Sequence, residues 1–325
     1  MSPRSGMSRG VTTGQLIASH ILDTTKSGRS ENRIVYTSIN EQGYHQPDPS
    51  HPNQGYLTPH WRNLKPFLLD VGSQFRASDI VRETPATRLL FLSSMLYMND
   101  FNEVRAFGAR VSVNRTSDQT EIGSFWTYDG APKLGVPPRL CNQIVRVIAL
   151  QQSNSLEDNA RLFALVNYVM SDAGIVVWGS KYDYSLWRPI VGIRQITTSN
   201  VVDHNWQPLG APTNGIGDNF TQEFLSYVSG HATFGSAVFY ILCRFYDADD
   251  ISFEFQSDEY NGKTVDSITR RARPMRIRRY RSFTEADTEN FLSQIYLGVH
   301  WRIDQEEGQF MDQKVGSFVF DQLSQ

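Results

Sequence analysis

Between Ser155 and Ala173 the apolar residues Leu162, Phe163, Val166, Val169, Met170 and Ala173 recur every three or four positions. That interval is the pitch of an α-helix, and it puts the set on one face that must be buried against something. Ser155 followed by Asp158 marks the start, because each side chain can take a free N–H of the first turn. The same period returns further along the chain. From Ala86 to Phe107 it runs through Leu89, Leu92, Leu96 and Val104. A helix opened by Pro138 carries Ile144, Val147 and Ile148, and proline is tolerated where the first-turn N–H has no partner anyway. Two more are expected, one after Ser229 with Ala237, Val238, Ile241 and Leu242 on its stripe, and one from about Thr288 to His300. Period-two alternation is scarce, so the fold class is all-α.

A chain of 325 residues with a hydrophobic fraction of 40% can bury a sizeable core, which excludes a largely disordered chain. Apolar runs such as Val238–Cys243 are too short to cross a bilayer, so no membrane partner is expected. The segment MSPRSGMSRGVTTGQ lacks the apolar core of a signal peptide, and a soluble, by default cytoplasmic, protein is expected. Lys+Arg number 31 against 34 Asp+Glu, for a net charge of -3, which argues against a nucleic-acid partner held by bulk positive field. Cys141 and Cys243 lie in apolar helical patterns and read as buried free thiols. Residues 1–55, rich in Ser, Gly, Asn, Gln, Pro and His, read as an extended N-terminal arm with little core of its own. Residues 56–325 then form the helical domain. The basic run RRARPMRIRRYR (270–281) reads as a solvated loop.

Three segments carry chemistry. Lys181 and Arg188 are spaced by two helical turns, so both cations would project from one face, with Trp178 on the same stripe and Trp187 nearby. Such cations repel unless an anion lies between them; alone, the pair reads more readily as a helix end whose cations meet solvent or carboxylates. Ser229-Gly230-His231 opens an apolar helix. A serine cap, a glycine that permits close approach and a positive dipole end make an anion site with His231 as a proton donor, or simply a capped helix. In the third segment, Ser293-Gln294 precedes Gly298 and His300, and Asp304 can orient the His300 ring. Gly298 leaves room for something to approach. Together these segments supply two cations, a helix N-terminus and two histidines, which suits a small oxyanion such as phosphate.

Lys181-x6-Arg188-Pro189, Ser229-Gly230-His231 and Ser293-x4-Gly298-x-His300 resemble, in order, the three-part signature of vanadium-dependent haloperoxidases and the related acid phosphatases. Asp172-Ala173-Gly174, YVSGHATFGSAV and YLGVHWRID resemble the haloperoxidase branch. The resemblance runs from about Trp61 onward and implies a helical bundle of that type. It implies vanadate, or phosphate in the same place, bound with His300 as the protein ligand to the metal. Lys181, Arg188, Ser229, the Gly230 N–H and the position of Gln294 would hold the oxygens. His231 and Lys181 would be the catalytic pair, and Trp178 and Phe224 would line the halide pocket. Hydrogen peroxide, a halide and a small organic molecule would be the substrates, and a homo-oligomer the assembly. Gln294 stands where the family usually has an arginine, so weaker oxyanion binding is expected, with bromide or iodide oxidised rather than chloride. Phe224 falls where chloroperoxidase-type members carry Phe. A phosphomonoesterase with His300 as nucleophile, or a weakly active homologue, is the alternative.

Overall fold

The computed structural model describes residues 3–26, 34–81, 84–197 and 202–323; residues 1–2 and 27–33 of the expected arm lie outside the described residues. Among the described residues the helices are α1 (Pro3–Lys26), α2 (Pro85–Leu92), α3 (Met95–Phe107), α4 (Ser117–Phe125), α5 (Pro137–Gln151), α6 (Leu156–Tyr184), α7 (Pro189–Gln195), α8 (Gly230–Tyr246), α9 (Phe283–Tyr296) and α10 (Arg302–Leu323). One small antiparallel pair, β1 (Phe253–Phe255) with β2 (Arg278–Tyr280), sets Phe253 opposite Tyr280. The molecule is an all-α bundle, as expected.

α8 lies at the centre, buried along nearly its whole length and packed against α5, α6, α9 and α10. Its first turns include the small residues Gly230, Ala232, Thr233, Gly235 and Ser236, so neighbours come close. A Cβ added to Gly308 of α10 would meet Thr233 Oγ1 at 3.1 Å and the Ser229 carbonyl at 3.2 Å. α6 begins with the expected box: the Ser155 hydroxyl accepts from Asp158 N, and the Asp158 side chain accepts from Ser155 N. Further along, the buried Asp172 carboxylate takes the backbone N–H groups of Phe67, Leu68 and Leu69 at 2.7, 2.8 and 3.0 Å. α6 is long and apolar enough to cross a membrane by composition, yet 67% of its most apolar stretch is buried inside the protein, which is what a core helix does.

Several expectations need correction. The 86–107 pattern is two helices, because the Ser94 hydroxyl accepts from Tyr97 N and starts a new one; serine competes readily for such bonds. The helix expected over 288–300 runs over 283–296, capped by Ser282, and Gly298 at φ +72 turns the chain away. The basic run 270–281 is not a solvated loop throughout. It contains β2, and Arg273 is buried in an ion pair with Glu259. Within the N-terminal stretch, residues 3–26 form a helix whose side chains at 7–23 are exposed. Residues 34–58 form a strap across the bundle, with Tyr44, His45 and Asp48 buried.

Candidate active site

His300 lies in the turn between α9 and α10 and is 1% exposed. Its Nδ1 is 2.8 Å from Asp304 Oδ2, which also accepts from Trp301 N at 2.9 Å and from the Ser226 hydroxyl. The carboxylate accepts only, so the proton sits on Nδ1, and the Nε2 lone pair accepts from Arg188. Burial, then Arg188, Lys181 and His231, hold the imidazole well below its ordinary pKa, so it is neutral. Gly298 does leave room, and backbone fills it: a Cβ there would meet the Gly108 carbonyl oxygen at 2.4 Å.

Lys181 and Arg188 do meet, but not by spacing along one helix. α6 stops at Tyr184, Ser185 adopts φ 53, and Arg188 is the residue that precedes α7. A two-turn argument fails because the chain reverses between the two cations. Lys181 Nζ donates to the carbonyls of Leu225, Ser226 and Val228, and so holds the segment leading into α8. Arg188 Nε donates to the Phe224 carbonyl at 2.7 Å, and Nη1 donates to the Val299 carbonyl at 2.7 Å and to His300 Nε2 at 3.0 Å. Arg188 Nη2 is buried with no partner among the described residues. Burial lowers Arg188 to about 10, which leaves it a cation at neutral pH. Burial, then the charge of Arg188, push Lys181 well below its usual value. Both charges sit against one ring: Lys181 Nζ is 5.0 Å and Arg188 Cζ 4.8 Å from the centre of Phe224.

Ser229 is the N-cap of α8, its hydroxyl accepting from Ala232 N, and its own N–H donates to the Asp304 carbonyl at 2.8 Å. Gly230 and His231 therefore begin the helix beside His300, where first-turn N–H groups and the dipole favour an anion. His231 Nε2 donates to the Thr127 carbonyl and lies 3.9 Å from Asp129 Oδ1. With Nε2 engaged, Nδ1 is the nitrogen left for chemistry. Gln294 is fully buried; its Nε2 donates to Ser293 Oγ at 3.1 Å, and its Oε1 has no partner. Its carbonyl accepts from Val299 N, so it sits one hydrogen bond behind the carbonyl that Arg188 uses.

A cavity of about 360 Å³ opens onto this cluster. Gly230, His231, His300, Trp178 and Phe224 line it, with Trp61 and Leu57 from the N-terminal side and Pro137 and Pro138 from α5. Trp178 packs on Phe224 at 5.4 Å and donates from Nε1 to Thr58 Oγ1 at 2.9 Å. Lys181, Arg188, Ser229 and Gln294 stand behind this wall and do not line the cavity. No motif marks Asp129, which lines the cavity, or Thr127, whose carbonyl holds His231; both come from a loop distant in sequence. The tripeptide Tyr128-Asp129-Gly130 offers only a turn signal.

The fit to an oxyanion can be judged on these atoms. Among the described residues, a buried guanidinium nitrogen has no partner and the His300 Nε2 lone pair meets Arg188 Nη1, beside the start of a helix; that set suits a small oxyanion that a metal centre shares with a histidine. Such an arrangement between packed helices defines the class: a helical bundle of the vanadium haloperoxidase type. Residues 161–325 match the family model described as the VCPO second helical-bundle domain, and the chain belongs to that vanadium chloroperoxidase family. It is 33% identical over 295 residues to the vanadium chloroperoxidase of Curvularia inaequalis, covering 79% of this chain and 48% of that protein. The chain thus spans about half the length of the curated relative it matches. A crystal structure described as the first bacterial vanadium-dependent iodoperoxidase superposes with a TM-score of 0.74 at 23% identity, covering 95% of this chain and 68% of that one. The holo-type structure of a bacterial vanadium-dependent chloroperoxidase gives a TM-score of 0.64 at 14% identity, over 90% of this chain and 65% of that one. These two likenesses speak for the fold.

Proposed function

We propose that the protein is a vanadate-dependent haloperoxidase that uses hydrogen peroxide to oxidise bromide or iodide to hypohalous acid, which halogenates small organic molecules. The observation that carries this is His300. It is fully buried and neutral, with Nε2 presented beside Arg188 and Nδ1 fixed by Asp304. A neutral, oriented imidazole is what a metal takes as a ligand, and the acceptor behind it raises its basicity. When bound, vanadate supplies a Lewis acid that polarises peroxide for attack by halide.

The remaining roles belong to this chain. Arg188 and the first-turn N–H of Gly230 compensate negative charge that would otherwise be buried at great cost, with Ser229 holding that turn in place. Lys181 adds its charge from behind the 225–228 segment and keeps that segment seated. His231 moves a proton through Nδ1 while the Thr127 carbonyl fixes its ring. Gln294 contributes amide dipoles in place of a full charge. Less positive charge polarises peroxide less, which favours bromide and iodide, the easier halides to oxidise. The apolar cavity, far larger than a halide and a peroxide need, fits a small organic acceptor.

The phosphomonoesterase reading rests on the same His300 Nε2, which could attack a phosphate. Bromination of a dye with peroxide and bromide, with and without added vanadate, beside hydrolysis of an aryl phosphate, separates the two. Vanadate-dependent bromination is the expected result. Bromination indifferent to vanadate sinks the proposal, and rapid phosphate release without bromination favours the esterase.

A further inference from the structure

His45 is a histidine that no motif marks. It lies in the strap, fully buried, and among the described residues neither Nδ1 nor Nε2 has a hydrogen-bond partner. Buried polar groups are almost always paired, because one left unpaired loses its hydrogen bonds to water without replacement. An imidazole with both nitrogens idle needs a reason.

The backbone shows where the residue has been put. Tyr44 bridges to Leu186, His45 N donates to the Ser185 carbonyl at 2.8 Å, and Trp187 N donates to the Gly43 carbonyl at 3.0 Å. The strap is thus laid onto the three residues 185–187, the junction that separates Lys181 from Arg188. Arg88 clamps it from the other side, donating from Nη1 to the same Gly43 carbonyl at 3.2 Å. The far end is pinned too: Leu57 N donates to the Glu223 carbonyl at 2.8 Å, one residue before Phe224. The aromatic neighbour recorded for the ring is Tyr56, edge-on at 5.7 Å, which offers shape and no partner for the two nitrogens.

We infer that His45 is a further oxyanion-binding residue, contributed by the strap to the site of Lys181, Arg188 and His300. The inference rests on the oxyanion reading of that site. It is consistent with the charges around the ring. Burial, then Arg188 and Lys181, hold the imidazole down at about 3, so it enters the site neutral, with one N–H to give and one lone pair. Hydrogenphosphate and hydrogenvanadate carry both acceptor oxygens and a hydroxyl, so a neutral imidazole can serve either kind. Arg188 Nη2 and Gln294 Oε1 are also buried and unpartnered. With Gln294 in place of a cation, an added N–H donor makes up part of what the oxyanion lacks there.

The test titrates inorganic phosphate and orthovanadate into wild-type protein and the variants His45→Leu, His45→Asn and His45→Gln, and follows thermal unfolding without anion. His45→Leu should weaken both anions at least about tenfold, as loss of a hydrogen bond to a charged group does. Asn or Gln should recover part of it. Without anion, His45→Leu should unfold at the wild-type temperature or above, since an idle polar group has been replaced by an apolar one. Tight binding by the wild type with equal binding by folded His45→Leu overturns this assignment alone. Wild-type protein that takes neither anion overturns the oxyanion reading itself. If His45→Leu does not fold, the ring nitrogen resonances of His45 in wild-type protein decide: a shift on adding phosphate supports the assignment, and none overturns it.

Discussion

Gln294 is the residue at which the proposed oxyanion binding is most directly tested. It is fully buried, its amide nitrogen is tied to Ser293 Oγ, and its oxygen has no partner. Gln294→Arg adds a third cation beside Arg188 and Lys181, which raises anion affinity and costs stability when no anion is there. Calorimetric titration with orthovanadate should show about a tenfold gain, the order expected for one more charge-assisted hydrogen bond. Unfolding in anion-free buffer should come earlier by about 1 kcal/mol. Unchanged affinity would place Gln294 outside the site. The change is a sensitive probe because affinity and stability should move in opposite directions, which a mere packing defect would not produce.

At the level of elements, the turn between α9 and α10 sets His300. Gly298 has φ +72, and a Cβ on it would run into the Gly108 carbonyl, so Gly298→Ala combines left-handed strain with a backbone clash. A loss of about 2–4 kcal/mol in urea unfolding is expected, with weakened phosphate binding as His300 is displaced. Unchanged stability would show that the turn can relax. The sequence revealed this region unevenly. The Ser229 cap and the Asp304 partner of His300 were readable because each is a local offset of three or four residues. The convergence of Lys181 and Arg188 was foreseen for the wrong reason, since Ser185 reverses the chain between them. α10 gave no clear stripe, because buried Asp304, Gln305 and Asp312 interrupt its apolar face. Asp129 and His45 were not readable, since contacts made across long loops leave no period in the sequence.

Across the whole molecule the net charge of -3 hides unusually placed charges of both signs. Asp312 is 0% exposed, and burial, then the neighbouring Asp287, raise its carboxyl well above the ordinary range. Its folded pKa exceeds its unfolded one, so the folded state binds the extra proton, and stability falls as pH rises from about 4 through the folded value. Asp312→Asn should therefore stabilise the protein at pH 8, by about 1 kcal/mol or roughly 2–4 °C in Tm, and much less near pH 4. An equal shift at both values would refute the titration argument. The strap has a further consequence, for synthesis. It leaves the ribosome well before the α6–α7 junction on which it lies, and Arg188 finds the Val299 carbonyl only when more than a hundred further residues have followed. A product truncated before Val299 therefore cannot form this hydrogen bond or present His300, and any anion binding that depends on Arg188 and His300 together should be lost in such a fragment.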